Sequence, residues 1–334
     1  MATEYKAGLR ITGSNSDRTT DFPIAGWSSI ADLPVTRGIH FMAGGNKNSA
    51  IQTQGSEGDS NRYKNTTYLW NGSAWSTGNN NTVSKDYGSG GGTTSGAISV
   101  MGYAGSPQQS SQEYNGSTWS NGGNTGNSLY NPIADGNDSS AIEAQGTIGG
   151  TNKSGSASTY NGSSWSSITS CSNSGSGGQG GGTSSNFHIT GSNNHSGGVN
   201  SAEKWNGSSW SATVNSNTPR RNGQGGGNSS AGYIAGGHDG SSNISSTELW
   251  NGSSWTTKES MSEVKASAHH TSTGSLTANT GAIQIAGNSD SPTYTKTCYI
   301  YTPADPINLQ EGTVFEEIDT GNHFIWYGGA WVEI

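Results

Sequence analysis

Leu249-Trp-Asn-Gly-Ser-Ser-Trp255 closes the clearest copy of a heptapeptide that occurs five times in this 334-residue chain. The other copies are Leu69-Trp-Asn-Gly-Ser-Ala-Trp75, Glu113-Tyr-Asn-Gly-Ser-Thr-Trp119, Thr159-Tyr-Asn-Gly-Ser-Ser-Trp165 and Lys204-Trp-Asn-Gly-Ser-Ser-Trp210. Their final tryptophans, Trp75, Trp119, Trp165, Trp210 and Trp255, are spaced by 44, 46, 45 and 45 residues. A fixed period of this size marks stacked or radial copies of one supersecondary unit. Asn-Gly between aromatic or β-prone residues signals a hairpin, because a type I′ turn takes φ > 0 at both central positions. The predicted hairpins are Asn71-Gly72, Asn115-Gly116, Asn161-Gly162, Asn206-Gly207 and Asn251-Gly252, each followed by its Trp, and Trp27 matches the same position near the N-terminus.

Composition alone points elsewhere. Hydrophobic residues make up 28% of the chain, charged residues 11%, and there are 53 Gly. That balance is typical of low-complexity segments. The repeat overrides it: 11 Trp and 13 Tyr supply a core of a few large rings among small residues. The net charge is −8, and Arg220-Arg221 is the densest basic cluster, so phosphate-driven nucleic-acid binding is not expected. No apolar run reaches membrane-spanning length, and residues 1–10 do not read as a secretory signal. Cys171 and Cys298 fall in different repeats and read as free thiols.

Aligned on the tryptophans, each unit has four strands. A Gly-rich first strand, as in Gly223-Gln-Gly-Gly-Gly227, precedes an alternating second strand, as in Gly232-Tyr-Ile-Ala-Gly-Gly237; the hairpin supplies the third and fourth. Glycine normally weakens a strand, but at a crowded axis where units converge only small residues fit. Residues 8–15 resemble 187–194, and residues 19–27 align on 247–255, so the N-terminus reads as strands two to four of a unit lacking its first. Thr313-Val-Phe-Glu-Glu317 is the candidate for that strand, and Ile307-Asn-Leu309 for a weak fourth strand of the last unit. The expected fold is an all-β propeller with seven blades of four antiparallel strands, closed by pairing N- and C-terminal strands. A six-bladed ring, with Trp27 completing the last unit, is the alternative. The expected division is a propeller over 1–310, with residues 7–28 completing the last blade, and a closing strand or hairpin over 311–334.

The unit resembles a Kelch repeat. A basic residue opens it, with Arg37, Lys85, Arg220 and Lys265 each 10 residues after the preceding Trp; strand two ends in Gly-Gly or Gly, strand three carries an aromatic and strand four a Trp. The doublet is reduced to a single Gly at Gly55 and Gly191. The Asn-Gly-Ser-Xaa-Trp wording and the segment from Phe315 to Trp331 are similar to Kelch-like structural or tail proteins of tailed, especially marine, bacteriophages. The resemblance implies a virion protein assembled in the host cytoplasm, partnered by other virion proteins.

The recurring Asn-Gly-Ser is also a glycosylation acceptor pattern, but turn chemistry accounts for it. The Gly-rich runs lack the following helix that a phosphate loop needs. His269 and His270 are neighbours in a strand and point to opposite faces, so they do not share a metal. Asp135-Gly-Asn-Asp138 has short oxygen spacing but too few carboxylates for an EF-hand loop. The copper enzyme galactose oxidase is a Kelch propeller, but no matching His/Tyr/Cys set is found here. No cofactor, metal or catalytic residue is expected. The segments between strands two and three, at 56–65, 106–111, 151–157, 192–200, 238–246 and 288–296, vary most and emerge on one face. Asn193, Asn194, His195, His238, Asp239 and Asp290 are the candidate ligand-binding residues there. The expectation is a non-enzymatic tail-fibre, baseplate or surface-decoration protein that recognises a host-surface glycan or protein, without membrane insertion. A bacterial cell-surface adhesin, a carbohydrate-active or oxidising enzyme, and a purely structural plug or collar are the alternatives.

Overall fold

In the computed structural model, residues 10–13, 26–38, 41–58, 62–150, 152–194, 197–266, 269–271, 281–288, 294–302, 312–327 and 330–334 are described. They form strands and connections with no helix. Five sheets follow the chain in simple up-and-down order. Sheet one contains Met42–Asn46, Ser49–Thr53, Thr67–Trp70 and Trp75–Gly78; sheet two contains Ser89–Thr93, Gly96–Tyr103, Pro107–Tyr114 and Trp119–Leu129. Sheet three contains Ile133–Gly136, Ala141–Gly149, Asn152–Tyr160 and Trp165–Ile168. Sheet four contains Gln179–Thr183, Asn186–Asn194, Gly197–Trp205 and Trp210–Ala212, and sheet five contains Gln224–Gly227, Gly232–Ala235, Thr247–Trp250 and Trp255–Lys258. All neighbours within these sets of four are antiparallel. The architecture is all-β and propeller-like.

The expected Gly-rich first strands adjoin one another in sequence order. Their glycines are sterically required. A Cβ on Gly44 would lie 2.7 Å from the backbone of Gly91, and one on Gly225 would lie 2.4 Å from the nitrogen of Gly180. Neighbouring backbones therefore touch where the sheets converge, and the apolar core sits between sheets. Phe187, Ile189, Ile142 and Trp205, for example, pack together from sheets three and four.

The repeated hairpin differs from expectation in one respect. Trp70 pairs with Trp75, leaving a four-residue loop, and among its residues only Gly72 takes positive φ, at 94°. Asn71 is not in the left-handed region, so the turn is not type I′. The asparagine acts through its side chain instead: Oδ1 accepts the amides of Ser73 and Ala74 at 3.0 and 2.9 Å. Asn115, Asn161, Asn206 and Asn251 repeat this arrangement. A side-chain acceptor satisfies loop amides that the ladder leaves open. Across each hairpin, rings pack at 5.1–5.5 Å, as in Tyr160–Trp165 and Trp205–Trp210. Each fourth-strand indole N–H then donates to the preceding unit, as from Trp119 to Thr67 and from Trp165 to Ser111.

The termini are arranged differently from the sequence alignment. Arg10–Gly13 pairs in parallel with Val314–Glu317, which continues antiparallel to His323–Tyr327 and Ala330–Glu333. These N- and C-terminal strands do pair, as expected, but in a sheet of their own. Gly26–Ile30 instead pairs with Tyr294–Thr302, which pairs with Ala282–Asn288. Trp27 packs on Tyr301 at 5.3 Å and donates to Thr247, the position in sheet five that Thr67 holds in sheet one. His269–Thr271 lies parallel to Met42–Asn46 and also adjoins Gln224–Gly227. Residues 14–25 and Ile307–Leu309 fall outside the described residues.

The segments read as variable loops at 106–111, 151–157 and 192–200 are largely strand. Pairings extend to Tyr103↔Pro107, Gly149↔Asn152 and Asn194↔Gly197. Ser, Thr and Gln runs read as loop by composition, yet cross-strand pairing satisfies their backbone groups equally well. Sheets two to four therefore raise hairpins above one face, while sheets one and five keep long connections there.

Candidate functional site

Each unit enters its first strand through a short backbone bridge to the end of its second strand. These bridges are Gly38↔Ser56, Asp86↔Tyr103, Tyr130↔Thr147, Arg221↔His238 and Ala266↔Asn288. In sheet four, Ser176 and Asn193 exchange amide bonds in the same way. The bridges occupy the raised face, and most present small or polar side chains. Tyr103 and Tyr130 depart from that pattern, and Tyr87 follows Asp86.

These three tyrosines line a cleft of about 420 Å³ together with Arg62, Gly105, Ser106, Pro107, Gly149 and Gly150. Tyr130 meets Tyr87 and Tyr103 edge-on, each at 5.7 Å. Tyr63 lies 6.3 Å from Tyr103, and its hydroxyl accepts the amide of Gly105 at 3.2 Å. The Tyr130 hydroxyl donates to the Gly150 carbonyl at 2.9 Å, fixing the far wall. Tyr87 sits in the left-handed region at φ 51°, unusual for an aromatic residue, and its carbonyl accepts the Asn131 amide at 2.8 Å. Tertiary contacts hold that backbone in place, which is the situation in which strain persists at functional sites.

Arg62 crosses the cleft from the long connection of sheet one. Its guanidinium lies 5.4–5.9 Å from the ring centres of Tyr63, Tyr87 and Tyr103. Nε donates to the carboxylate of Asp86, and the terminal nitrogens have no other hydrogen-bond partner among the described residues. Burial pushes the Asp86 carboxyl up to about 6, against the opposing pull of Arg62. The cleft thus combines apolar ring faces, phenol edges and one cationic fork: features that position a polar ring-shaped ligand.

The residues singled out from the sequence are distributed as follows. Asn193 and Asn194 stand near the tip of the sheet-four hairpin, and Asn193 Oδ1 accepts from Arg221 at 3.3 Å. His238 lies in the bridge beside Arg221, and its Nδ1 accepts the Gly240 amide at 2.9 Å. Burial, then the charge of Arg221, hold its imidazole below the ordinary value. Asp239 accepts the amides of Ser241 and Ser242 at 2.7 and 2.8 Å, which lower its carboxyl. It is a turn residue. His195 and Asp290 lie outside the described residues. The structure therefore groups Asn193 and His238 around Arg221, on the same face as the tyrosine cleft. Arg62, Tyr87, Tyr103, Tyr130 and Arg221 were not anticipated. The available signal was their departure from the repeat.

Asp135 is buried on its first strand and accepts the amides of Gly136 and Gly182 at 2.7 and 2.8 Å. Asn137 forms the turn that the Asp135–Asp138 stretch was expected to make. No set of three or more His, Cys, Asp or Glu capable of holding a metal occurs among the described residues. Cys171 and Cys298 are free and buried, and burial pushes both thiols up to about 12, which makes them poor nucleophiles.

The fold and the raised face define a propeller-like protein. The structure of YjhT is similar to it, with a TM-score of 0.65 and 11% identity over 82% of this chain and 97% of that one. At that identity the likeness is one of fold alone. No protein-family model and no curated protein matches the sequence.

Proposed function

We propose that this chain is a six-unit Kelch-type propeller whose strands run from Gly26 to Thr302, and that it serves as a non-enzymatic virion protein whose raised face recognises a host-surface carbohydrate. The count of six is favoured by Trp27, which makes the ring contact and the inter-unit hydrogen bond of a fourth-strand tryptophan, and by His269–Thr271, which adjoins the first strands of sheets one and five. The observation that carries the recognition role is the Arg62–Tyr87–Tyr103–Tyr130 cleft. Clustered phenols packed edge-on give a sugar an apolar shelf and a hydroxyl-rich edge at low ordering cost. Many copies on one particle would turn weak sites into firm attachment.

The terminal sheet is the proposed attachment element for other virion proteins. It exposes Ile318, Tyr327, Val332 and Ile334, four of the six most exposed large apolar side chains among the described residues. Immunogold labelling of a lysate from the source culture, with antibody to this chain, tests the assignment. Label on tails or capsids is the expected outcome. Label confined to cell surfaces, with bare particles, contradicts it and favours an adhesin.

A further inference from the structure

The raised face carries a second cationic group beyond the cleft. Lys153, on the sheet-three hairpin, donates from Nζ to the hydroxyls of Thr147 at 3.2 Å and Ser176 at 2.9 Å. Arg221, from the entry of sheet five, uses Nη1 on Asn193. Neither cation has a carboxylate ion-pair partner among the described residues. They are close enough that Arg221, after burial, helps hold the Lys153 ammonium below its ordinary value. Like charges placed together without a counter-charge are a cost in the empty protein and an anion site in the loaded one.

The two groups are physically continuous. Arg62 packs on Tyr87 and Tyr103, and Tyr130 packs on both. The Tyr130 backbone bridges to Thr147, whose hydroxyl meets Lys153; Lys153 meets Ser176, Ser176 exchanges amide bonds with Asn193, and Asn193 meets Arg221. This track crosses four successive bridges, with an aromatic shelf in the middle and a cation toward each end. A single sugar would need only the cleft. The Arg62 fork faces a two-oxygen acceptor well, because its Nε is already committed to Asp86 and its terminal nitrogens remain.

We infer that the raised face binds an acidic polysaccharide strand, with sugar rings stacked on Tyr87, Tyr103 and Tyr130 and acidic groups held by Arg62 at one end and by Lys153 and Arg221 at the other. The inference rests on the carbohydrate reading and narrows it to the anionic class. In a chain of net charge −8, such binding depends on this local cation track and not on overall attraction.

The test is fluorescence anisotropy of the full chain with end-labelled oligosaccharides of equal length: a polyuronate, a sulfated glycan and a neutral glucan, with a single-stranded oligonucleotide as a control for charge alone. The expected result is that an acidic oligosaccharide binds at least about tenfold more tightly than the glucan and that the preference shrinks as salt rises. The tighter of the two acidic arms identifies carboxylate or sulfate. The Lys153→Gln/Arg221→Gln double variant should shrink the preference to what the Arg62 fork alone supplies and retain weak glucan binding, while Lys153→Arg keeps it in full. Equal affinity for glucan and acidic oligosaccharides, or a preference unchanged in the double variant, overturns this inference and leaves the carbohydrate reading standing. Oligonucleotide binding as tight as that of the acidic glycans also overturns it. Failure of every oligosaccharide to bind overturns both readings.

Discussion

The outer hairpin edge and the raised face are built on opposite principles. On the edge, five Asn-Gly-Ser-Xaa-Trp hairpins use the same side-chain acceptor, the same glycine φ near 90° and the same ring contact. On the raised face, six equivalent bridges carry Gly-Ser, Asp-Tyr, Tyr-Thr, Ser-Asn, Arg-His and Ala-Asn. Repetition marks what every unit needs in order to fold. Departure from it marks what only some units do, and the aromatic and cationic departures fall on sheets one to three and on sheet five, joined through the polar Ser176–Asn193 bridge of sheet four.

The same contrast runs through the buried charges. In sheet five, Arg220 and Glu248 are both fully buried and meet at 2.6 Å, with Glu248 also accepting the amides of Asn217 and Thr218. In sheet three the basic opener is absent, because Leu129 holds that position. Glu143 is buried with no cation beside it among the described residues, and burial pushes its carboxyl up to about 8. One unit keeps a compensated charge, and another keeps a carboxyl neutral.

The largest expected effect breaks the compensated side. Glu248→Ala strands Arg220 in the core and should lower unfolding stability by about 3–5 kcal/mol, read by denaturant titration. The next sharpens the uncompensated side. The folded Glu143 carboxyl sits above its ordinary 4.5, so its contribution is fully present below that pH and is lost as pH rises through about 8. Glu143→Gln should therefore flatten the stability profile across that window and exceed the parent at pH 9 by on the order of 1–3 kcal/mol, measured by melting at several pH values. A parent profile already flat from pH 5 to 9 would contradict this. On the outer edge, Asn251→Ala removes the loop acceptor and should cost about 1 kcal/mol while leaving ligand binding intact. The smallest stability change is expected from Tyr103→Ala, about 1 kcal/mol or less at a partly exposed site, yet this variant should lose carbohydrate binding.

The scaffold was legible because its signals are local and repeated. The period, the Gly-rich first strands, the alternating second strands and the ring pairs were all readable. The turn type was not: Asn-Gly suits two geometries, and the choice depends on where the flanking tryptophans pair. The use of the termini was legible only in part: Arg10–Gly13 does take Val314–Glu317 as its partner, but in parallel, and Gly26–Ile30 pairs with Tyr294–Thr302 in a different sheet, because a likeness between strands reports propensity and not partner. On the raised face, polarity drew attention to Asp239 and His238, whose acceptors hold their own turns. The tyrosines come from three connections that only folding brings together.

The most direct test is a crystal structure of the chain soaked with the acidic oligosaccharide that binds best. The account predicts density for sugar rings against Tyr87, Tyr103 and Tyr130, with an acidic group at the Arg62 fork. Density on the opposite face, or along the Asn-Gly-Ser-Trp edge with the tyrosine cleft empty, would contradict it.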